Sequence, residues 1–275
     1  MKWKSPHNRI LPSPRGIPLV MGILNVGAQS FSDGGKYSDT DAALRHAEEM
    51  IASGADIIDI GAESTRPQAT KLPERDELEI LLPKLSALRK RFPDIPVSVD
   101  TYKPEVAKIA VSEGADIVND VYAIRENGHY PMAATAAKIG APLVLTHCCR
   151  GENVEGDFFE FFMKSMSERL QNALNEGLPR NMIVLDAGVG FGKTAQQNFE
   201  LVRNLARLRE FGCPVLLGVS RKSMFAETAG DSLAARDAAT VAVSVFAALE
   251  KSCDILRVHD VAANVAALKT ISKLF

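Results

Sequence analysis

Groups of polar side chains recur along the chain, each directly after a short apolar run. They are Asn25; Glu63 to Arg66; Asp100; Asn119 with Asp120; His147 with Arg150; Asp186; Ser220 to Ser223; and Arg257 with His259 and Asp260. Any one group could simply cap the next helix, because Asp, Asn and Ser are preferred N-caps. Capping by all eight is a poorer explanation, so the set predicts one composite site.

Two kinds of chemistry are present in this set. Asp100, Asn119 and Asp186 carry acceptor oxygens that can pair with N–H groups on the edge of a flat, nitrogen-rich ring, and a carboxylate facing two such groups forms strong bonds. Donors and cations suited to an anion make up the second kind: Ser64, Thr65, Arg66, Lys222, Arg257 and His259. Together they predict a substrate that carries both a heterocycle and a pyrophosphate.

A recurring fragment indicates how these side chains are positioned. Residues 54–59 (Gly-Ala-Asp-Ile-Ile-Asp) resemble residues 114–119 and, more weakly, residues 252–257. Each copy follows an amphipathic stretch, and the glycine that opens the first two copies stands where a helix needs a left-handed cap. The apolar run that follows is typical of a buried parallel strand.

This unit predicts strands near Leu19–Leu24, Ile57–Ile60, Val97–Val99, Ile117–Val118, Leu143–Leu145, Ile183–Leu185, Val215–Val219 and Ile255–Val258. Helical periodicity separates them, notably over Glu74–Arg91, Phe158–Gly177, Gln196–Phe211 and Leu233–Lys251. The alternation predicts an α/β fold, a single (β/α)8 TIM barrel domain over residues 1–275, with its active site at the C-terminal ends of the strands. A doubly wound open sheet is the competing architecture.

Composition bears on the possible partners. The 275 residues include 32 Lys and Arg against 34 Asp and Glu, so no basic excess favours nucleic acid. The longest apolar stretch, residues 17–24, is interrupted by Pro18 and Gly22 and is too short to span a bilayer. The four cysteines have no C-x-x-C spacing, which disfavours a zinc cage or a disulfide framework. We therefore expect a cytoplasmic enzyme with no membrane partner.

One glycine-rich segment has two interpretations. Residues 186–194 (Asp-Ala-Gly-Val-Gly-Phe-Gly-Lys-Thr) approach a nucleotide P-loop, but Ala187 stands where that pattern has its first glycine. A tight turn beneath a bound ring is the preferred interpretation, because glycine allows such backbone conformations.

Several strings, in order along nearly the whole chain, resemble the dihydropteroate synthase family of pterin-binding barrels. They are Met21–Val26, Ser30–Gly35, Glu63–Pro67, Ser98–Thr101, Asn119–Asp120, Gly190–Lys193, Gly218–Ser223 and Arg257–Asp260. The resemblance implies a transferase of folate biosynthesis that joins 7,8-dihydropterin-6-ylmethyl diphosphate to 4-aminobenzoate and releases pyrophosphate. It also implies a sulfonamide target and a homodimer formed through the later helices.

The resemblance further implies residue roles. Pterin would be held by Thr65, Asp100, Asn119, Asp186 and Lys222. The diphosphate would be held by Arg257 and His259, which with Lys222 form the expected catalytic set, and Mg2+ would bind near Asn25. Phe31, Arg66, Pro67 and Ser223 would shape the aminobenzoate site.

The chain departs from the family pattern in its loops. Gly27, Ala28 and Gln29 replace the usual Thr, Pro and Asp of the first loop, which we expect to loosen that loop and to alter the arylamine site. Gln68 and Ala187 replace a usual glycine and proline, and Cys148 with Cys149 replaces a single methionine.

Two other functions stay open. The altered first loop is compatible with a pterin-binding paralogue that does not catalyse. A methyltetrahydrofolate-dependent corrinoid methyltransferase would share the ring-binding carboxylates, but it needs no diphosphate cradle of the kind that Ser220–Ser223 and Arg257–His259 suggest.

Overall fold

Eight parallel strands close into a barrel in chain order, with the first strand paired to the last. The structure, a computed structural model, describes residues 5–9, 11–14, 16–27, 40–64, 70–152, 154 and 156–274. Helices connect consecutive strands around the outside. The predicted (β/α)8 TIM barrel is confirmed, and the open sheet is wrong because no free sheet edge exists between the first and last strands.

The strands are β1 (Leu19–Asn25), β2 (Ile57–Gly61), β3 (Val97–Asp100), β4 (Ile117–Asp120), β5 (Leu143–Thr146), β6 (Ile183–Asp186), β7 (Val215–Leu217) and β8 (Ile255–Val258). The α-helices of the described residues are α1 (Thr40–Ser53), α2 (Glu74–Arg91), α3 (Pro104–Ser112), α4 (Pro131–Ile139), α5 (Phe158–Asn175), α6 (Ala195–Arg203), α7 (Ala226–Ala229), α8 (Leu233–Leu249) and α9 (Val261–Ile271). Short 3-10 helices cover Arg180–Met182, Leu205–Phe211 and Ser223–Phe225.

Most predicted boundaries differ from the structure by one or two residues, and two regions show how. The helix expected over residues 196–211 is α6 followed by the 3-10 helix Leu205–Phe211, which ends at Gly212 with φ +69°. The strand expected over Val215–Val219 ends at Leu217. Among the described residues no single helix is long and apolar enough to cross a membrane; the segments 223–229 and 233–249 meet that requirement only together, across a bend of 99°.

The inside of the barrel is apolar at one end and polar at the other. Its lower end is filled by Leu11, Leu19, Met21, Ile57, Ile117, Val144, Val184, Leu216 and Ile255. Side chains two residues apart on a strand share a face, so the next inward positions follow from the sequence. These positions are Asp59, Asn119, Thr146, Asp186 and Arg257. The period of two therefore places a polar layer directly above an apolar floor.

The aspartate of the recurring fragment ties neighbouring strands together at their starts. Asp56, Asp116 and Asp254 each accept a hydrogen bond from the backbone N–H of the preceding strand, at Val20, Val97 and Val215, over 2.8, 3.0 and 2.8 Å. The backbone N–H groups of the same aspartates donate back to the carbonyls of those three residues. In each copy of the fragment, these bonds set the register between two neighbouring strands: β2 on β1, β4 on β3 and β8 on β7.

The backbone conformation and surroundings of Gly188, in the loop after β6, leave no room for a side chain at this position. Its φ is +64°, and a Cβ there would lie 1.9 Å from the carbonyl oxygen of His147. Gly140 has a similar φ of +69° with nothing within 4 Å of such a Cβ. We expect Gly140→Ala to cost about 1 kcal/mol of unfolding free energy, from backbone strain alone, and Gly188→Ala to cost at least about 2 kcal/mol more. Chemical denaturation of the two variants tests this, and equal losses would contradict it.

Candidate active site

One guanidinium ties three strands together at the centre of the polar layer. Arg257 on β8 donates from Nε to Asp59 Oδ2 of β2 over 2.6 Å, and from Nη2 to Asp100 Oδ2 of β3 over 2.5 Å. Burial lowers the pKa of Arg257, but the two carboxylates outweigh it and raise that pKa above its ordinary value. A buried cation needs such partners, so the pairs fix the guanidinium in the barrel.

Asn119 on β4 belongs to the same cluster. Its Nδ2 donates to Asp59 Oδ2 over 3.1 Å. Asp59, Asn119 and Arg257 occupy the sixth position of the three copies of the recurring fragment. The fragment therefore places equivalent side chains of β2, β4 and β8 at one height, where they meet.

Acceptor atoms of this cluster have no partner among the described residues. These buried atoms are Asp59 Oδ1, Asp100 Oδ1 and Asn119 Oδ1. Buried polar atoms are normally hydrogen-bonded, and an exception calls for an explanation. A bound ring with N–H groups on its edge would supply the missing donors.

The predicted ring-binding carboxylates differ in their surroundings. Burial raises the pKa of Asp100 to about 7, although Arg257 opposes that shift. Burial also raises the pKa of Asp186, against the nearby positive charge of Lys222. Asp186 Oδ1 accepts from the backbone N–H of Gly188 over 2.9 Å, which orients the carboxylate at the end of β6.

Lys222 lies across the cluster, on the loop after β7. Its Nζ donates to the carbonyl oxygen of Val189 and lies 4.6 Å from the ring centroid of Phe191. Burial lowers the pKa of Lys222 to about 7, although Asp186 opposes the shift. Gly190 allows this arrangement, because a Cβ there would lie 3.1 Å from the lysine Cδ.

The remaining predicted residues of the described part lie at the same end of the barrel. His259 follows β8, and its ring Nδ1 lies 2.9 Å from Ser220 Oγ, which also accepts from the His259 backbone N–H. Asn25 ends β1, half-buried beside Gly61 in the strand register. Ser223 is exposed at the start of a 3-10 helix.

Four predicted site residues lie outside the described residues: Phe31, Thr65, Arg66 and Pro67. Ala28, Gln29 and Gln68 lie outside them too. Gly27 is described, and a Cβ there would lie 1.9 Å from the carbonyl oxygen of Ala62. Gly27 thus lets the chain leaving β1 run directly against the chain leaving β2. The expected loosening of the first loop stays a prediction.

An ion cluster at the base of the second loop was missed by the sequence analysis. Lys103 Nζ donates to both Glu63 and Glu77, and Tyr102 Oη donates to Glu63 Oε1 over 2.9 Å. Glu63 Oε2 also accepts from the backbone N–H of Leu72 over 3.1 Å. Glu63 thus fastens both ends of the second loop to the loop after β3.

Aromatic rings and cations line the mouth beside this cluster. The Arg150 guanidinium lies 5.5 Å from the ring centroid of Tyr122 and 5.2 Å from that of Phe191, and it donates to Tyr122 Oη over 3.1 Å. A cavity of about 470 Å³ opens on this side, lined in part by Tyr102, Tyr122 and Arg150.

Lys193 does not behave as a phosphate-binding P-loop lysine. Its Nζ donates to the carbonyl oxygens of His147, Gly188 and Phe191 over 2.9, 2.8 and 3.1 Å. These three bonds use every donor of the ammonium group. Lys193 therefore joins the loops after β5 and β6 and helps hold Phe191 in place.

The same chain pattern occurs in known proteins. A family model described as pterin-binding enzymes matches residues 21–259. A dihydropteroate synthase of Clostridium beijerinckii is 43% identical over 251 residues, which are 91% of each chain. This chain belongs to the dihydropteroate synthase family.

Solved members of the family share the fold over the full length. A Xanthomonas albilineans dihydropteroate synthase solved with 4-aminobenzoic acid is 39% identical, with a TM-score of 0.88 over 98% of both chains. A Yersinia pestis dihydropteroate synthase solved with a sulfonamide drug is 35% identical, with a TM-score of 0.90 over 100% of this chain and 99% of the other.

The lowered pKa of Lys222 predicts a pH-dependent effect of Lys222→Met on stability. Between the folded value of about 7 and the ordinary value of 10.5, the unfolded chain holds a proton at this lysine that the folded chain lacks. Burial of Lys222 therefore lowers the free energy of unfolding most below about pH 7. This loss of stability disappears as the pH rises toward the pKa of the lysine in the unfolded chain. We expect Lys222→Met to raise Tm by several degrees near pH 6.5, with the gain shrinking steadily toward pH 10.

The matched control is Lys138→Met, an exposed lysine in the last turn of α4. Its Tm difference from the parent protein should stay constant over the same pH range. A constant difference for Lys222→Met would show that Lys222 keeps an ordinary pKa in the folded protein.

Proposed function

We propose that the chain joins 7,8-dihydropterin-6-ylmethyl diphosphate to 4-aminobenzoate and releases pyrophosphate, as a transferase of folate biosynthesis. The observation that carries the proposal is the buried layer of unpartnered acceptors at Asp59, Asp100 and Asn119, held around the Arg257 guanidinium. A pterin presents the N–H groups that such a layer lacks. Family membership supports the same reaction.

The ring would bind with its donor-bearing edge toward the strand ends. Asp100 and Asn119 accept from the ring on one side, and Asp186 lies on the other side of the barrel. Lys222, between Asp186 and Phe191, would donate to an acceptor atom of the ring. Thr65 lies outside the described residues, and its contact with the same substrate stays a prediction.

Departure of the diphosphate is the step that needs positive charge. Arg257 and His259 lie together on and just after β8, and Lys222 faces them from the loop after β7. Preorganised cations stabilise developing negative charge without reorganisation, which is the largest source of rate in many enzymes. The cation left on the pterin methylene is stabilised by the electron-rich ring and the carboxylates of Asp100 and Asp186. The arylamine nitrogen then attacks that methylene and loses a proton.

Magnesium fits the chain only as a partner of the diphosphate. No group of three or more His, Cys, Asp or Glu side chains suited to a metal occurs in the described ranges. Mg2+ commonly takes one or two protein oxygens and fills its other positions with water and substrate phosphates. Asn25 could supply such an oxygen. Bound there, the ion would neutralise charge on the leaving group.

The arylamine side is proposed at the barrel mouth, with Phe31, Arg66, Pro67 and Ser223 as its residues. Ser223 is exposed next to Lys222, where a second substrate could approach the pterin methylene. The Xanthomonas relative was solved with 4-aminobenzoic acid and the Yersinia relative with a sulfonamide drug. We infer that this chain takes both kinds of ligand at this side.

We further infer a homodimer formed through α8, in the cytoplasm. The helix leaves large apolar side chains exposed to solvent: Leu233 by 44%, Phe246 by 39% and Leu249 by 45%. Phe246 and Leu249 stand three residues apart and share one face of α8, whereas Leu233 is at the other end of the helix. Exposed apolar patches mark protein interfaces, so the face with Phe246 and Leu249 would suit a second copy of α8.

The proposed reaction predicts pyrophosphate release that depends on the arylamine. With pterin diphosphate and Mg2+, release should be rapid with 4-aminobenzoate and slow without it. Lys222→Ala should weaken pterin diphosphate binding by about 1.5–3 kcal/mol, the usual loss for a hydrogen bond to a charged group. Lys138→Ala, far from the site on α4, should leave both quantities unchanged.

Three results would contradict the proposal in different ways. Equal release of pyrophosphate without the arylamine would show that water captures the cation. The altered first loop would then fail to exclude water from the site. Binding of pterin diphosphate with no release would favour the non-catalytic paralogue. Binding of methyltetrahydrofolate with no affinity for pterin diphosphate would favour the corrinoid methyltransferase.

A further inference from the structure

One carboxylate oxygen serves two residues of the proposed site. Asp59 Oδ2 accepts from Arg257 Nε over 2.6 Å and from Asn119 Nδ2 over 3.1 Å. Asp59 is completely buried in the middle of β2. It was not among the site residues predicted from the sequence. In the register of β2 on β3 it pairs with Ser98, two residues before the ring-binding Asp100.

The contact with Asn119 fixes which end of an ambiguous side chain faces the ligand. An asparagine amide has an acceptor end and a donor end of almost the same shape. An ionised carboxylate only accepts, so the NH2 group must point to Asp59. The oxygen, Asn119 Oδ1, then points away from it, and it is buried with no partner among the described residues.

The contact with Arg257 favours the ionised form of the Asp59 carboxyl group. Arginine offers only donors, and its charge compensates a buried carboxylate. Arg257 also occupies Asp100 Oδ2, which leaves Oδ1 of that carboxylate unpartnered. The open atoms around Arg257 are therefore carboxylate and amide oxygens, on Asp59, Asp100 and Asn119.

We propose that Asp59 is a positioning residue. It determines which hydrogen-bonding groups the bound edge of the ligand must carry. By holding the NH2 group of Asn119, Asp59 turns the amide oxygen toward the substrate. That oxygen and the Asp100 carboxylate then require donors on the ring, which the 2-amino edge of a pterin carries. The inference rests on the proposed function and adds the residue that specifies this edge.

The test compares two rings that differ at one substituent. 6-Hydroxymethylpterin carries a 2-amino group, and 6-hydroxymethyllumazine carries a 2-oxo group in its place. The ratio of their dissociation constants, measured by calorimetry, reports discrimination at this edge. In Asp59→Asn the new side chain can offer either an oxygen or an NH2 group, so Asn119 can rotate. We expect the ratio to fall about tenfold, the usual penalty for one unpaired buried polar group.

A matched control separates discrimination from damage to the core. Ser244 is buried on α8, outside the polar layer of the barrel, and its Oγ also has no partner among the described residues. Ser244→Ala removes one buried polar atom, and it should leave the ratio unchanged. A purely structural role for Asp59 would weaken both ligands equally, so an unchanged ratio in folded Asp59→Asn would overturn the proposal.

A second variant keeps the test decisive if Asp59→Asn does not fold. In Asp59→Asn with Arg257→Gln, one buried charge of each sign is removed, and Asn119 is again free to rotate. In this double variant the ratio of dissociation constants should fall as in the single variant. A ratio equal to that of the parent protein would overturn the inference. Failure of the parent protein to bind 6-hydroxymethylpterin would instead overturn the proposed function.

Discussion

The positive charge of Arg257 inside the barrel is the constraint on which the site depends. A guanidinium taken out of water is costly unless several acceptors surround it. Here the acceptors come from β2 and β3, while the arginine comes from β8. The closed barrel brings these strands around one axis. The fold thus supplies the acceptors that offset the desolvation of the buried guanidinium. In return, the cation holds two carboxylates in place with one oxygen of each left open.

The layers of the barrel explain why this cluster is rigid. An apolar floor that includes Met21, Ile57 and Ile255 excludes water from below. The register bonds of Asp56, Asp116 and Asp254 fix three strand pairs below the cluster. Side chains on strands are held more precisely than side chains on loops. The groups proposed to bind the ring are therefore set before substrate arrives, whereas the arylamine side is proposed to depend on loops.

The sequence predicts this fold well because one unit repeats and its strands end in polar residues. That rule finds the polar side chains at the last or next-to-last position of a strand, which include Asp100, Asn119, Asp186 and Arg257. It does not find Asp59, because that residue lies inside a strand, although its alignment with Asn119 and Arg257 in the recurring fragment was a usable signal. The partners of Glu63 were hidden for another reason. Lys103 and Glu77 come from separate elements, and their meeting depends on how α2 and the loop after β3 pack.

A crystal structure with 6-hydroxymethylpterin and pyrophosphate would test the central claim most directly. The account predicts that Arg257 Nε stays on Asp59 while the ring donates to Asp100 Oδ1 and Asn119 Oδ1, with pyrophosphate near His259. A ring bound in the cavity beside Tyr122 and Arg150, or an Arg257 side chain turned away from Asp59 to reach the anion, would contradict it.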